Sequence, residues 1–430
     1  MQHCLDRGQA SRSHGGRGRA LAGLGVAIGL AAATLAGPPA RAAGQDAPPN
    51  RAQAASVGQA RVEALAAGLS HPWALAFLPD GSLLITERTG ALRRWRAGTG
   101  LSEPLAGVPR VAAQGQGGLL DVALSPSFAR DRLVYLAYAE AGRDGRLSTA
   151  VGRGRLAEDM SRLEGFARIF QQQPKLSTGM HFGSRLAFDR DGHLFIALGE
   201  NNQRPAAQDL GKLQGKLVRI HADGSVPAGN PFVGRAGARP EIWSYGHRNP
   251  QGLAVHPRTG AVWLHEHGPR GGDEINIPKP GGNYGWPIVT YGMDYSGRPI
   301  PEARGAEAPG IEPPVYYWPQ SPAISGMAFY DADRHPQWRG SLFVGALAGA
   351  ALIRLSLDGE RVTAEERLLA DRRERIRDVR VGPDGHLYVL TDAERTTEVY
   401  SNRFAAHILR ERIRGEHGRS LLLVKARLGG

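Results

Sequence analysis

Two groups of polar side chains in this chain are suited to chemistry, and the first is a histidine with a distant carboxylate. His181 lies in the small-residue loop STGMHFG, and Glu200 ends the apolar segment that follows it. If residues 184–200 form a hairpin, the two side chains meet, and the carboxylate orients the imidazole and raises its basicity. His181 is therefore a candidate general base. The alternative is a histidine with a structural role.

The second group lies in the stretch Gly246–Pro287. Arg248 and Asn249 precede one strand-like run, and Asp273 and Glu274 follow it in a glycine-rich loop. Glycines let main-chain carbonyls approach a ligand, and oxygen ligands suit calcium. Arginine suits an anionic, oxygen-rich cofactor. The alternative is a polar turn with a surface arginine.

The same loop contains the candidate metal ligands. Carbonyls of segment 267–269 can bind calcium, whereas Asp273 and Glu274 are adjacent and would face opposite sides of a strand. Zinc at His265 and its neighbour two residues on lacks a third ligand at a familiar spacing. An ordinary polar loop is the alternative.

Two further arginines precede the last apolar repeat. Arg375 and Arg377 are two residues apart, which places both side chains on one face of a strand. Two adjacent guanidinium groups repel each other unless an anion lies between them, so the pair predicts an anion site. A solvated surface pair is the alternative.

Composition excludes several classes of protein. The 430 residues are 41% hydrophobic, and 58 glycines and 29 prolines favour short strands joined by turns. The formal charge of +12 is concentrated at the ends, with +4 in residues 1–42 and +5 in residues 403–430, which leaves +3 for the body. Without a basic patch with interleaved aromatics, the chain is not predicted to bind nucleic acid.

The N-terminus has the pattern of a secretory signal. Arginines precede an uncharged run over residues 20–40, and Ala40-Arg41-Ala42 has the small-x-small cleavage pattern. We expect residues 1–42 to be removed, so the mature protein is periplasmic or secreted; a membrane anchor is the alternative. No later segment approaches the ~18–20 apolar residues of a membrane span. Cys4 lies in this signal, so the mature chain has no thiol, and residues 43–62 are predicted to be a disordered spacer.

A repeated pattern organises the body of the chain. It consists of an apolar run, a turn such as Pro-Asp-Gly, and a second apolar run. The six copies are segments 73–87, 120–138, 184–200, 251–266, 325–345 and 377–391. One hairpin cannot bury its own apolar face, so the copies must stack, which predicts an all-β, six-bladed β-propeller over residues 63–402. A sandwich or an array of domains is the alternative.

The tail after this repeat has a different character. Residues 403–430 are basic, with apolar residues at roughly helical spacing. The pattern predicts a solvated, partly helical extension, with contact to a membrane surface as the alternative.

Several of these segments together resemble the soluble quinoprotein sugar dehydrogenases, and the aldose sugar dehydrogenase branch, related to soluble glucose dehydrogenase, is the closer match. The resemblance runs from about residue 65 to residue 395. The matching motifs are HPWALAFLPDGSLLITER, GQGGLLDVALSPSF, HFGSRLAFDRDGHLFIALGE, GHRNPQGLA, EHGPRGGDEIN, GGNYGWP and RDVRVGPDGHLYVLTD. It implies a six-bladed propeller that binds pyrroloquinoline quinone (PQQ) and calcium. It also implies oxidation of the C1 hydroxyl of aldoses to a lactone, with electrons passed to an external acceptor, a quinone or a cytochrome.

The resemblance also assigns roles to residues by motif position. His181 is implied as the base, Glu200 as its orienting acid, and Arg248 as the group that stabilises developing negative charge. The implied cofactor contacts are Gln116, Arg248, Asn249, Arg375 and Arg377. The implied calcium ligands are the carbonyls of Gly268 and Pro269, with a second, structural calcium near Glu274, Tyr284 and Asp294.

Two departures from the family pattern concern the cofactor and the last blade. A cofactor-contacting lysine of glucose dehydrogenase would align near Ala348, where this chain has no cation, although Arg354 is nearby in sequence. After Thr391 the expected final strand is missing and the basic tail follows.

Two other functions compete with sugar oxidation. One is a metal-dependent lactonase or other hydrolase on a six-bladed propeller, which would need several side-chain carboxylates around one ion. The other is a non-enzymatic binding propeller, which would give the histidine and arginines no role.

Overall fold

The structure is a computed structural model of the chain, and it describes residues 50–51, 56–57, 61–392 and 421–427. All of these belong to one compact unit, Pro48–Gly430. The predicted signal over residues 1–42, with Cys4, lies outside the described residues. The predicted spacer lies mostly outside them, although short strands occur within it.

The described residues are almost entirely β-strand, turn and loop. Three strands lie at the N-terminal end: β1 (Asn50–Arg51), β2 (Ser56–Val57) and β3 (Arg61–Leu69). The next eight are β4 (Pro72–Phe77), β5 (Leu83–Glu87), β6 (Leu92–Arg96), β7 (Gly100–Leu101), β8 (Leu119–Leu124), β9 (Leu133–Ala141), β10 (Leu147–Leu156) and β11 (Leu163–Gln171). The middle of the chain forms β12 (Gly183–Phe188), β13 (Leu194–Leu198), β14 (Lys216–Ile220), β15 (Ile242–Tyr245), β16 (Pro250–Val255), β17 (Val262–Glu266), β18 (Asp273–Asn276) and β19 (Tyr316–Trp318). The remaining strands are β20 (Ile324–Phe329), β21 (Leu342–Ala346), β22 (Ala351–Asp358), β23 (Arg361–Leu368), β24 (Ile376–Val381), β25 (Leu387–Thr391) and β26 (Leu421–Arg427).

Helix is scarce in the described residues. One short α-helix spans Phe128–Asp131, and three 3₁₀ segments span Arg204–Gln208, Pro336–Trp338 and Ala370–Arg372. None of these helices has the length and apolar character that a bilayer crossing needs.

The described strands form six sheets. Groups of four consecutive strands, from β4–β7 through β20–β23, form five of them as antiparallel meanders. Strands β1 and β2 add in parallel to the outer edges of two sheets, against β19 and β23. The sixth sheet has the order β24-β25-β26-β3, so it joins the two ends of the described chain.

The first strand of each sheet packs against the first strand of the next. We call β4, β8, β12, β16, β20 and β24 the inner strands. Each contacts the next in this order, and β24 contacts β4, which closes a ring. A closed ring of stacked antiparallel sheets is a β-propeller.

Apolar clusters between neighbouring sheets explain why the second strand of each hairpin is continuously hydrophobic. All five residues of β13 are buried, and its successive side chains point to opposite faces. Leu194 and Ile196 pack towards the preceding sheet, whereas Phe195 and Ala197 pack towards the following one. The strand is therefore buried on both sides, and it reads as an unbroken apolar run.

The six repeated segments found in the sequence coincide with the first two strands of the six sheets. Segment 184–200, for example, covers most of β12, all of β13 and the turn between them. The prediction of stacked hairpins is confirmed for every copy, and so is the all-β class.

The C-terminal tail differs from the expectation. Residues 421–427 form β26, which pairs with β25 on one side and with β3 on the other. The segment LLLVKAR contains four aliphatic residues, and its β-pairing partner lies at the other end of the chain, so helical spacing in the preceding residues is no guide to it. The last sheet thus has a final strand, although none was expected from the residues that follow Thr391. Residues 403–420 lie outside the described part of the chain.

Deletion of residues 421–430 should destabilise the whole protein. The deletion removes β26 and leaves the hydrogen-bonding edges of β25 and β3 without their partner, at ~0.5–1.5 kcal/mol per lost bond. We expect the free energy of unfolding, measured by urea denaturation, to fall by several kcal/mol. Deletion of residues 428–430 alone is the control and should leave it unchanged; equal stability of both truncations would contradict the pairing.

Candidate active site

The centre of the candidate site is the predicted pair of His181 and Glu200. The imidazole Nδ1 lies 3.0 Å from Oε2 of Glu200, and both side chains are buried. They come together because His181 precedes β12 and Glu200 follows β13, and these two strands form one antiparallel hairpin. The prediction that opposite ends of this hairpin meet is confirmed.

The backbone around His181 is held in an uncommon conformation. His181 has a φ of 50°, in the left-handed region that few residues other than glycine adopt. Its main-chain N–H donates to Oε1 of Gln116 at 2.8 Å, which brings this predicted site residue to the histidine. Gly199 packs so closely that a Cβ there would lie 1.9 Å from the carbonyl oxygen of His181. The loop therefore depends on the glycine opposite it.

Electrostatics favour the neutral form of this histidine. Burial lowers the pKa of His181, and the nearby Arg248 guanidinium lowers it further, whereas the Glu200 carboxylate acts in the opposite direction. With Nδ1–H donating to the carboxylate, the ring lone pair is at Nε2. The imidazole is thus poised to accept a proton.

Arg248 is the second predicted site residue that adjoins His181. Its carbonyl accepts the N–H of Glu200 at 2.9 Å, so the two loops touch. Its Nη1 donates to the carbonyls of His267 at 3.2 Å and Gly268 at 2.8 Å. Its Nε is buried and has no hydrogen-bond partner among the described residues. An unsatisfied buried donor indicates that an acceptor belongs at this position.

A buried triad that the sequence reading missed holds the main chain of Arg248. Glu266 accepts one hydrogen bond from Nδ1 of His247 at 2.7 Å and another from the N–H of Arg248. Nε2 of His247 lies 2.9 Å from the Ser244 hydroxyl, and the ring stacks on Tyr284. Ser244 and His247 have no exposed surface, so the triad is structural and fixes the arginine.

The predicted arginine pair spans a register shift at the start of β24. Arg377 is buried and donates through Nη2 to Asp392 at 2.7 Å and through Nε at 3.2 Å. A register shift makes Arg377 the inserted residue between Ile376 and Asp378, so the two-residue alternation does not apply across it. Arg375 lies just before β24, where its carbonyl accepts the N–H of Asp392.

One geometric rule connects these pairs. In three sheets, an acidic residue at the end of the second strand binds a basic group at the start of the first. The pairs are Glu200 with His181, Glu266 with His247, and Asp392 with Arg377. The sequence alone gives only a loose signal for this rule, because the three carboxylates stand eight, six and seven residues after the turn glycines Gly192, Gly260 and Gly385.

A cavity beside Arg248 is lined by two of the three predicted ligands of the structural calcium. Glu274 and Tyr284 line it together with Arg248 and Glu266. Burial raises the pKa of Glu274 well above its usual range, and the negative charge of Glu266 raises it further. The two carboxylates repel each other, and a cation between them would relieve that repulsion.

The third predicted ligand lies elsewhere. Asp294 does not line this cavity and forms an ion pair with Arg204 at 3.0 Å. The Tyr284 hydroxyl donates to the carbonyl of Ile277 at 2.7 Å, so it already has an acceptor. The structure therefore brings together Glu274 and Tyr284 but not Asp294.

The loop after β17 is fixed by its other acidic residue. Asp273 accepts the N–H of Gly268 at 3.0 Å and the Ser321 hydroxyl at 2.7 Å, so its carboxylate points away from Glu274, as expected for adjacent strand residues. His265 and His267 bind the carbonyls of other strands through Nε2. Both imidazoles are thereby used in packing rather than in a zinc site.

The predicted residues converge around His267. The Arg248 and Arg377 guanidinium groups both lower the pKa of His267, after burial and against the attraction of Asp273. Because Arg248 also lowers the pKa of His181, the histidine base and both arginines share one electrostatic environment. Asn249 lies in the same place, since its carbonyl accepts the His267 N–H at 3.2 Å and its Oδ1 accepts from Gln251.

Ala348 and Arg354, the two residues near the expected position of the glucose dehydrogenase lysine, lie in the β21–β22 hairpin. Ala348 is exposed in the turn between β21 and β22. Arg354 lies in β22 and pairs with Glu366 of the neighbouring strand at 3.0 Å. Its guanidinium is therefore committed to a strand pair.

Comparison with known proteins agrees with this fold. The family model for glucose/sorbosone dehydrogenase matches residues 69–400. The aldose sugar dehydrogenase YliI of Escherichia coli K12 is 62% identical over 332 residues, which cover 77% of this chain and 90% of that protein.

Solved structures of aldose sugar dehydrogenases have a similar fold. The apo form of the soluble aldose sugar dehydrogenase of Escherichia coli aligns with a TM-score of 0.79 at 56% identity, over 86% of this chain and 100% of that one. The PQQ-bound aldose sugar dehydrogenase of Streptomyces coelicolor aligns with a TM-score of 0.66 at 30% identity, over 87% and 100% of the two chains. This β-propeller is an oxidoreductase, and it belongs to the glucose/sorbosone dehydrogenase family.

Replacement of His247 by phenylalanine tests the buried triad. The variant keeps an aromatic ring beside Tyr284 but removes the hydrogen bonds that His247 makes to Glu266 and Ser244, so we expect a loss of ~1–3 kcal/mol in the free energy of unfolding. Urea denaturation measures it. The control is His193→Phe, which removes a partly exposed pair with Asp189 and should cost under ~1 kcal/mol. Equal losses in both variants would contradict a special role for His247.

Proposed function

We propose that the protein is a PQQ-dependent aldose dehydrogenase that oxidises the C1 hydroxyl of aldose sugars to lactones. The observation that carries the proposal is the buried His181–Glu200 pair beside Arg248 in a chain of this family. The printed names of the relatives support the substrate class, and the Streptomyces coelicolor structure supports the cofactor.

His181 acts as the general base in this proposal. Its Nε2 accepts the proton of the C1 hydroxyl while C1 loses a hydride, so the sugar loses two electrons and two hydrogens. Glu200 keeps the ring in the productive tautomer through Nδ1 and stabilises the imidazolium that forms. The lowered pKa keeps the base neutral before reaction.

The described residues fit an anionic quinone. Arg248 offers a buried Nε donor that lacks an acceptor, and Gln116, Asn249, Arg375 and Arg377 are the other residues proposed to contact it. When bound, PQQ supplies the acceptor for the C1 hydride. Arg248 would then stabilise negative charge that develops at the quinone oxygen. Arg377 would contribute positive charge while its side chain stays paired with Asp392.

Calcium is the proposed metal. The carbonyls of Gly268 and Pro269 would hold the ion at the cofactor, and oxygen donors are what this cation prefers. The Gly268 carbonyl already accepts a bond from Arg248, and its second lone pair leaves room for an ion. A structural calcium is proposed at Glu274 and Tyr284, with Asp294 able to contribute only if it leaves Arg204.

Three further features belong to this proposal. Each of the six sheets is one blade of the propeller, and an experimental structure would test this number of blades. Residues 1–42 are a cleaved signal and the enzyme is periplasmic, which mass spectrometry of a chain beginning at Ala43 would verify. Electrons leave to an external quinone or cytochrome, which a screen of acceptors with the loaded enzyme would identify.

The metal-dependent lactonase is not favoured. Among the described residues, one group of three close metal-binding side chains was found, formed by Asp189, Asp191 and His193. It lies in the turn between β12 and β13, at the opposite end of the hairpin from His181. That cluster therefore cannot act with the candidate site.

Reconstitution of the purified protein tests the proposal. With PQQ and calcium added, wild-type protein should reduce a dye when an aldose is supplied and should release the lactone. His181→Ala should bind PQQ with similar affinity, because the imidazole is the base and not an anchor, and should lose ~10²–10⁴-fold in turnover. Near-wild-type turnover of this variant would remove His181 as the base. Lactone hydrolysis without quinone, abolished by EDTA, would favour the hydrolase.

The pH dependence of kcat/KM tests the role of Glu200. The carboxylate raises the pKa of His181 by attracting the imidazolium, so Glu200→Gln should lower that pKa. The acid limb of the kcat/KM profile, where the base becomes protonated, should therefore move to lower pH than in wild type. Glutamine can still accept the Nδ1–H bond, which separates charge from orientation. An acid limb that stays in place or moves to higher pH would exclude Glu200 as the partner of the base.

A further inference from the structure

Arg185 is a buried cation to which the reaction described above assigns no role. It lies in β12, four residues after His181, and its side chain is 2% exposed. Its Nε donates to the carbonyl of Gln251 at 2.7 Å, its Nη2 to the carbonyl of Arg377 at 3.3 Å, and its Nη1 to Asp378 at 3.0 Å. One guanidinium thus joins β12, the strand of Arg185, to β16 and β24.

The other three inner strands reach the same group. Nη1 of Arg185 lies 3.5 Å from Asp121 in β8, and the guanidinium stacks 4.0 Å above the ring of Trp73 in β4. Ser325 in β20 donates its hydroxyl to the Arg377 carbonyl at 2.7 Å, the acceptor that Arg185 also uses. All six inner strands therefore meet at Arg185 or at one of its acceptors.

These strands are the ones that carry the candidate site. His181 precedes β12, Arg248 precedes β16, and Arg377 lies within β24. Gln116 precedes β8, whose Asp121 faces the guanidinium. The spacing of these strands at Arg185 thus sets the spacing of the base, the cofactor contacts and the second arginine.

The energetics favour positioning over stabilisation as the purpose of this cluster. Two aspartates, Asp121 and Asp378, face two arginines, Arg185 and Arg380, so the charges balance. Desolvation of buried ions offsets much of their attraction, and apolar residues of similar volume often stabilise a core as well. What apolar residues cannot do is fix several carbonyls at defined distances and directions.

The neighbouring backbone is fitted to the cluster. At Gly326 a Cβ would lie 2.4 Å from Oδ1 of Asp378, and the residue has a φ of 49°. Glycine is therefore required where β20 passes the carboxylate. An arginine is required at the centre because its planar fork serves three acceptors in fixed directions, whereas a lysine presents a point charge.

We propose that Arg185 is a positioning residue for sugar oxidation: its guanidinium holds the strands of His181, Arg248 and Arg377 at the spacing that the cofactor and substrate require. This inference rests on the proposed function. It assigns Arg185 no contact with the cofactor or the sugar.

The test compares Arg185→Lys with Arg380→Lys. Both keep the net charge of the cluster. Arg380 binds the same two aspartates, at 2.9 Å and 3.6 Å, but is 24% exposed, and its one main-chain acceptor among the described residues is Val379 in its own strand. It is thus the matched control, since it shares the electrostatics but reaches only one other inner strand, β8, through Asp121.

Four quantities separate positioning from a purely structural role. These are the Kd of the apoprotein for PQQ with calcium, by equilibrium dialysis, the kcat and KM of the saturated enzyme for one aldose, and the melting temperature. For R185K we expect the Kd to rise about 10-fold and kcat to fall ~10–100-fold with KM nearly unchanged, because small displacements of reacting groups have such effects. For R380K, both the Kd for PQQ and kcat should stay within about twofold of wild type.

The outcomes distinguish failure of the proposed function from failure of the positioning role of Arg185. Wild-type protein that neither binds PQQ nor oxidises aldoses would overturn the proposed function, and this role of Arg185 with it. With wild type active, a lower melting temperature in R185K with unchanged Kd and kcat would overturn the positioning role alone. So would equal losses in both variants.

A second variant covers the case in which R185K does not fold. Ser325→Ala removes only the other donor to the Arg377 carbonyl, and among the described residues this main-chain bond is the one contact of the hydroxyl with the proposed cofactor set. We expect its Kd for PQQ to rise about threefold, in line with the loss of one hydrogen bond. An unchanged Kd would overturn the inference.

Discussion

Contact of the six inner strands around one closed ring is the constraint on which the rest of this structure depends. His181, Gln116, Arg248 and Arg377 each precede or begin an inner strand, so ring closure brings together loops that are far apart in the chain. The apolar clusters between sheets hold the ring from outside, through second strands buried on both faces. A charged cluster at Arg185 holds it from inside. The apolar contacts stabilise the ring without fixing how the strands are oriented, and the charged hydrogen bonds fix that orientation.

Charge burial is the second theme of the site. Buried ionisable groups are tolerated only when each has a partner, and at three positions the partner is supplied by the other end of the same hairpin. His181, His247 and Arg377 each receive a carboxylate in this way. Arg248 receives none: its Nε stays unsatisfied, and its Nη1 binds only carbonyls. The buried Lys216 ammonium also binds only carbonyls, but Arg248 is the one of the two that adjoins His181, and it is where an anionic ligand is proposed.

The elements that sequence reading predicted and those it missed differ in how far their partners lie along the chain. The six hairpins and the His181–Glu200 pair were predictable, since both partners are joined by one short turn and the register follows from it. Strand β26 was missed because its stability comes from β3, at the other end of the chain. The alternation argument for Arg375 and Arg377 failed at a register shift, which leaves no mark in a single sequence. Asp294 was expected in a metal site because of its motif, but its geometry depends on Arg204, from another loop.

The amino-acid sequence by itself determined the all-β class, the repeated hairpins and the pairing of His181 with Glu200, because these follow from periodicity and from contacts within one hairpin. The tertiary structure alone decided which cations remain without a counter-ion, how Glu266 holds Arg248, and that Arg185 stands at the meeting point of all inner strands. The physical reason is that desolvation and hydrogen-bond satisfaction depend on every neighbour in space. Those neighbours come from segments as far apart as Trp73 and Asp378, whose proximity exists only once the ring has closed.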